Sequence, residues 1–307
     1  MSQPSSPNEV SNLGLGYRLL GFTGQLLLFA AILIALVILF QWLIQAALPN
    51  QSYADLTYLY LDWSSQLLAA LAALAIVNTL TIRLPLSRWG FRDHQWPAHL
   101  GSGLGLGATL MVMIFGLLWL AGGLQIRAIN WDGFALLAWF GFFTIQPLCE
   151  EVIMRSFLQN QLHRFFGSFA GLAGTALTFM LLHGGNAHFS WLAALNILAG
   201  GWLLGLLYLH TQSIWAPFAF HLGWNFFQST VLGFAVSGFD AYSLLDITPT
   251  GPAWLTGGAF GVEASLPGLL FLLVPIVYFW SAHRRPLPLL AAPELTDQPT
   301  TDESHPV

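Results

Sequence analysis

The chain has 307 residues, of which 56% are hydrophobic and only 7% are charged. Water cannot solvate a surface built from this composition, which excludes an ordinary soluble globular protein. The net charge of −5 comes largely from the acidic C-terminal end and the loops, so the sequence gives no indication of a nucleic-acid partner.

Apolar stretches long enough to cross a hydrocarbon core of about 30 Å as helices recur along the chain. They predict an all-α, polytopic membrane helix bundle embedded in the lipid bilayer. We expect about eight transmembrane helices. Their approximate bounds are Leu26–Leu48, Ser65–Ile82, Leu100–Leu124, Gly133–Leu158, Phe169–His183, Trp191–Leu209, Ile214–Val236 and Leu266–Ser281.

The two ends of the chain have too few large apolar groups to fold alone. We therefore expect a polar N-terminal tail over residues 1–17, an integral membrane domain over 18–283 and a disordered C-terminal tail over 284–307. The first apolar run is too long for a signal-peptide h-region, so we expect it to be retained.

Basic residues predict the orientation, because short loops rich in Arg or Lys stay on the cytoplasmic side. The chain has nine Arg and no Lys, and eight of the nine fall at cytoplasmic ends if both termini are inside. Only Arg127 then lies outside. The loop before the last helix, Ser237–Ser265, carries three acids and no base, as an external loop would.

Two features of the apolar spans have structural interpretations. The glycine-rich run Gly101–Gly107 lies within an apolar span, where small residues four apart let helices approach closely, so we interpret it as a packing face. The single cysteine, Cys149, excludes an intramolecular disulfide and any multi-cysteine metal site.

Two adjacent carboxylates and an arginine interrupt the fourth apolar span, where ionisable groups are costly unless paired or functional. Glu151 and Arg155 are four residues apart, so they share one helical face and can form an ion pair. Glu150 points roughly 100° away and has no local partner. This motif alone fits a structural network and a functional acid equally well.

Two further polar pairs favour a functional site. Phe179 and His183 are four apart in the fifth segment, and His221 and Asn225 are four apart in the seventh. Together with Glu150 they supply a base, imidazoles and an amide donor, which suffice for peptide-bond hydrolysis. Cys149 adjoins Glu150, but no basic neighbour is evident that would favour a nucleophilic thiolate.

Other membrane-protease chemistries do not fit. The sequence has no His-Glu-x-x-His motif of zinc proteases, no Gly-x-Ser-Gly of rhomboid serine proteases and no Gly-x-Gly-Asp of presenilin-like aspartyl proteases.

The order and spacing of Glu150-Glu151-x-x-x-Arg155, Phe179-x-x-x-His183 and His221-x-x-x-Asn225 resemble the three signature motifs of the CAAX-protease and bacteriocin-processing family (CPBP, or Abi). That family includes the eukaryotic type II CAAX prenyl endopeptidases. The resemblance covers residues 145–236. Ser156 departs from the glycine that many members have after the arginine, which bears on local packing.

The resemblance implies an intramembrane endopeptidase with a catalytic set of Glu150, Glu151, His183, His221 and Asn225. In it Glu150 activates water, His183 assists, and His221 with Asn225 stabilises the oxyanion or binds metal. From the helical spacing, Glu151 mainly holds Arg155 in a structural ion pair. Glu150, His183 and His221 could also ligate Zn²⁺, and the sequence leaves metal and metal-free water activation open.

The implied substrate is a membrane-associated or lipidated peptide or protein, and the absence of targeting features favours a bacterial plasma membrane. Two alternatives stay open. One is a non-catalytic scaffold or bacteriocin self-immunity protein with the same fold. The other is a transporter that uses Glu150 and Glu151 for proton coupling, although no inverted repeat is apparent.

Ideal spans raise one conflict of depth. They place Glu150 and His221 near the inner third of the membrane but His183 near the outer end of its helix. These side chains meet only if the fifth segment begins deeper or the helix boundaries are shifted.

Overall fold

The protein is described by a computed structural model that covers residues 14–49, 52 and 55–283. The predicted C-terminal tail, with Arg284 and Arg285, and most of the predicted N-terminal tail lie outside these residues. Within them, the first helix begins at Leu15, earlier than the apolar run at Leu26 indicated.

Helices make up most of the described chain, because long apolar runs satisfy their backbone polar groups only when helical. Side-chain caps fix three helix starts: Asp55, Asp132 and Ser190 each accept a hydrogen bond from a backbone N–H of the first turn. The helices are α1 Leu15–Ala47, α2 Leu56–Val77, α3 Trp96–Leu120, α4 Gly133–Glu151, α5 Asn160–Phe166, α6 Ser168–Leu182, α7 Trp191–Thr211, α8 Trp215–Phe226, α9 Ala253–Thr256 and α10 Leu266–His283.

Three of these helices continue into wider π-helical turns. α2 runs into Asn78–Ile82, α4 into Val152–Gln159 and α8 into Phe227–Val231. The second of these turns joins α4 to α5, so the chain stays helical from Gly133 to Phe166. Such turns occur frequently at functional sites, and two of them directly follow the Glu150–Glu151 and His221–Asn225 motifs.

The prediction of a purely α-helical fold missed a small sheet. β1, Leu124–Ile129, pairs antiparallel with β2, Leu245–Pro249, with Ile126 opposite Ile247. Both strands are short and largely exposed. They lie between helices, and a search for long apolar spans does not detect two short paired strands.

The predicted number of eight spans is not confirmed. Five helical segments of the described chain are long and apolar enough to cross a membrane, which makes the protein a multi-pass membrane protein. α6 has only 15 residues, or about 22 Å at 1.5 Å per residue, and α8 has 12. The orientation of the termini stays a prediction. The five segments are Leu15–Ala47, Leu56–Ile82, Trp96–Leu120, Gly133–Phe166 and Trp191–Thr211.

Close packing of α3 against α8 confirms the structural interpretation of the glycine run for two of its members. A methyl group added at Gly103 or Gly107 would collide with the backbone of α8 around Phe220. From the other side, a methyl group at Gly223 would lie 2.6 Å from the carbonyl oxygen of Leu104. Contact without intervening side chains holds the helix that carries His221 and Asn225.

Candidate active site

Three helices bring the polar motifs to one cavity of about 510 Å³. The end of α4 carries Glu150, the end of α6 carries His183, and α8 carries His221 and Asn225; all four side chains line the cavity. The conflict of depth does not arise in the fold. α6 is short and stops at Leu182, so His183 begins a 3₁₀ turn at the cavity wall instead of ending a full span.

Glu151 and Arg155 form the ion pair that their spacing predicted. Arg155 Nε lies 3.0 Å from Glu151 Oε2, and neither side chain is exposed at all. Arg155 also donates to the carbonyl oxygen of Gly201 and lies 5.6 Å from the centre of the Phe179 ring. Two buried opposite charges in contact offset much of each other's desolvation cost. The pair can therefore be held in the buried part of the site.

His221 lies between the two glutamates. Its Nδ1 is 3.0 Å from Glu151 Oε1, and its Nε2 is 3.7 Å from Glu150 Oε2. A carboxylate paired with Arg155 only accepts, so Glu151 accepts a hydrogen bond from Nδ1–H of the imidazole. That bond orients the ring and directs Nε2 toward Glu150 and the cavity.

The two glutamates differ in what they can reach. The Glu150 side chain is 17% exposed to the cavity, whereas that of Glu151 is 0% exposed. Glu150 Oε1 accepts a hydrogen bond from the Gln146 amide, while Oε2 has no hydrogen-bond partner among the described residues. Glu150 is therefore the acid whose side chain reaches the cavity, but the expectation that it has no local partner is wrong, because Gln146 lies four residues before it.

Gln146 is a site residue that the sequence interpretation missed. It donates to Glu150 and accepts a hydrogen bond of 3.2 Å from Asn225 Nδ2, so it connects the first motif to the third. Its position four residues before Glu150, on the same helical face, is a signal that could have identified it.

His183 is held by its own helix. Its Nδ1 lies 2.8 Å from the carbonyl oxygen of Phe179, and the Phe179 ring lies against both His183 and His221, at centroid distances of 4.5 and 5.8 Å. A backbone carbonyl only accepts, so Nδ1 carries the proton and the other ring nitrogen is left to the cavity. Phe179 thus spaces the two imidazoles.

The described residues contain no group of three or more His, Cys, Asp or Glu side chains placed to hold a metal ion. The predicted Zn²⁺ ligands Glu150, His183 and His221 share the cavity without forming such a group, and their role as ligands stays a prediction. Cys149 is 1% exposed, and it has no hydrogen-bonded base among these residues.

Comparison with known proteins supports the predicted family. Residues 132–227 match the family model described as Type II CAAX prenyl endopeptidase Rce1-like. No curated protein and no solved structure matches the chain. The matched segment contains Gln146, Glu150, Arg155, His183 and Asn225, so it contains the described cluster. Over this segment, about a third of the chain, the protein is similar to the Rce1-like type II CAAX prenyl endopeptidases, which supports the predicted CPBP family.

Proposed function

We propose that the protein is an intramembrane endopeptidase in which Glu150 activates a water molecule against a peptide bond. The observation that carries the proposal is that the Glu150 side chain lines the cavity and is 17% exposed, with its Oε2 3.7 Å from His221 Nε2, whereas Glu151 is fully enclosed. A general base needs an acceptor within reach of the proton that it removes. Glu150 meets that requirement, and Glu151 does not.

Charge balance explains how the cluster can hold and return a proton. Arg155 compensates Glu151, so Glu150 and His221 together carry one net negative charge while the imidazole is neutral. Unpaired charge is costly in a site removed from water. A proton taken from water by Glu150 makes the cluster neutral, and the same proton can then pass to the leaving amine.

Asn225 supplies a donor for the developing oxyanion, because it uses one amide hydrogen on Gln146 and keeps the other. His183 lines the same cavity, and since its Nδ1 donates to the Phe179 carbonyl, its other ring nitrogen can accept a hydrogen bond from the water. Each well-placed donor stabilises a tetrahedral intermediate by roughly 3–4 kcal/mol. His221 contributes by placing its own ring nitrogen Nε2 beside Glu150. No step of this proposed reaction uses a metal ion or the Cys149 thiol.

The cavity also supports the proposed substrate, a membrane-associated or lipidated peptide or protein. Apolar side chains such as Leu33, Leu59 and Phe142 form much of its wall, and polar side chains are the minority of its lining. Such a site suits a ligand whose apolar body binds the wall and whose peptide bond reaches the few polar groups. We propose a bacterial plasma membrane as the location.

The test is a comparison of cells that express the wild type or the Glu150→Gln variant. Peptides from membranes and from the medium are analysed by mass spectrometry, and we expect new termini that depend on Glu150. The amide is isosteric, so expression and melting in detergent stay near the wild-type values. Metal content of the same purified preparations tests the Zn²⁺ prediction.

Asp246→Asn is a matched control, because Asp246 is an exposed acid on β2 away from the cavity. Identical termini in wild-type and Glu150→Gln cells would contradict the peptidase and favour the scaffold or self-immunity protein. Proton-coupled uptake lost in Glu150→Gln, without any change in peptide termini, would favour the transporter.

A further inference from the structure

Loop residues form a second polar wall of the same cavity. Asn186, Ser237 and Glu263 line it together with Glu150 and His221. Asn186 follows α6, and the other two belong to the long segment between α8 and α10. The proposed hydrolysis uses none of these three side chains.

The carboxylate of Glu263 is held in a fixed position. Ser237 donates to its Oε2 twice, from the backbone N–H at 2.7 Å and from the hydroxyl at 2.6 Å. Asn186 Nδ2 in turn donates to the carbonyl oxygen of Ser237 at 3.0 Å. Ser237 has a φ of 49°, a left-handed conformation that is unfavourable for a serine. The turn thus keeps a strained residue whose two donors both bind one oxygen.

The other oxygen of Glu263 has no partner of this kind. No described residue donates a hydrogen bond to Oε1, and none of the salt bridges in the described chain involves Glu263. The cavity lining contains no arginine, and the whole chain has no lysine. A half-buried carboxylate that lines a cavity, with one oxygen fixed and the other without a donor from the described residues, can bind an external cation.

We propose that Glu263 binds a basic side chain, Lys or Arg, of the peptide being cleaved. This inference rests on the proposed function and specifies its substrate class: an apolar or lipidated peptide with an internal basic residue near the scissile bond. The charges that line the cavity are Glu150 and Glu263, with His183 and His221 as the titratable neighbours. A free C-terminal carboxylate that entered this cavity would meet two acids and no permanent cation.

The full-length protein reconstituted in liposomes provides the test. Its substrates are apolar peptides of one sequence in which a single scanned position carries Lys, its uncharged analogue norleucine, or Glu. Products are identified by mass spectrometry. At the favoured position we expect kcat/KM for the Lys peptide to exceed that for the norleucine peptide by roughly ten- to a hundredfold, with the Glu peptide poorest.

The decisive variant is Glu263→Gln. Its carbonyl oxygen can still accept both hydrogen bonds from Ser237, so the turn is retained while the charge is lost. We expect the Lys-to-norleucine ratio to fall to about one. Asp246→Asn removes an acid from the same segment outside the cavity and is expected to keep the wild-type ratio.

Two different failures are distinguishable. Glu150-dependent cleavage in which the wild type does not prefer Lys at any position, or in which Glu263→Gln keeps the preference, would overturn this inference alone. If no peptide is cleaved in a Glu150-dependent way, the proposed function is overturned and the inference with it. The wild-type preference for Lys is measurable even if Glu263→Gln does not fold.

Discussion

Glu150 and Glu151 are adjacent in the chain but have different surroundings, which assign them different tasks. Glu151 is fully buried and contacts both Arg155 and His221, and we propose that it positions them. We expect Glu151→Gln to lower the free energy of unfolding by about 3–5 kcal/mol, because Arg155 is left as an uncompensated buried charge. Turnover falls as well, since the imidazole loses its anionic acceptor.

Thermal melting and turnover of the purified variants check this difference. Glu150→Gln is the matched control, with melting near the wild-type value and no turnover. A Glu151→Gln protein that matches the wild type in both stability and rate would show that the ion pair has no role.

Gln146 offers a second test at the residue scale, because it connects Glu150 to Asn225. Leucine at this position removes the donor to Glu150 and the acceptor of Asn225 while keeping a similar volume. We expect kcat to fall by up to about a hundredfold through misplacement of both groups, with a much smaller change in KM. Steady-state kinetics measure both, and a variant with unchanged kcat would remove Gln146 from the site.

Helix contact determines where these side chains lie. Gly107 on α3 faces the backbone of α8, and an added methyl group would lie 2.7 Å from the backbone nitrogen of Trp224. Gly107→Ala is therefore expected to push α8 away, lower stability by roughly 1–3 kcal/mol and reduce turnover by moving His221 and Asn225.

Gly105→Ala is the matched control on the same helix, because nothing lies within 4 Å of its added methyl group. Melting temperature and turnover are measured for both variants. Equal behaviour of the two would contradict a backbone contact at Gly107.

Local spacing predicted the Glu151–Arg155 pair, whose members are four residues apart on one helix. The same rule could have identified Gln146 as the partner of Glu150, which was expected to have none. The bonds from His221 to Glu151 and from Asn225 to Gln146 join residues 70 and 79 positions apart. No pattern in a single sequence fixes such contacts, because they depend on how separate helices pack.

At the scale of elements, hydropathy located long helices but misjudged their ends. The fourth helix begins at Gly133 as predicted, yet helical structure continues past the predicted end at Leu158 to Phe166. Two of its polar side chains bond inside the protein: Ser156 donates to the carbonyl oxygen of Trp89, and Gln159 donates to that of Gly205. A polar residue therefore marks a membrane boundary only when it faces lipid or water.

The whole molecule combines five long apolar segments with shorter helices that carry the site. α6 has only 15 residues, and α8 reaches Val231 only through its π-helical turn. The ends of both helices line the cavity together with the loop residues Asn186, Ser237 and Glu263. Short helices packed among long ones leave room for water-accessible polar groups at membrane depth. The arrangement buries the charged pair Glu151 and Arg155 fully inside the protein.

Orientation in the membrane follows from the arginines and gives the last prediction. Arg83, Arg88 and Arg92 lie in the connection between α2 and α3, which we expect on the cytoplasmic side. Ser87 is exposed in this connection, and Ser243 is partly exposed in the acidic segment expected outside. On a Cys149→Ser background, a membrane-impermeant maleimide applied to intact cells should label a thiol introduced at position 243 and spare one at position 87. Permeabilised cells should show both, and Cys149→Ser alone should show neither. Labelling at position 87 in intact cells would show that the orientation is the reverse of the predicted one. The cavity wall formed by Asn186, Ser237 and Glu263 would then lie on the cytoplasmic side.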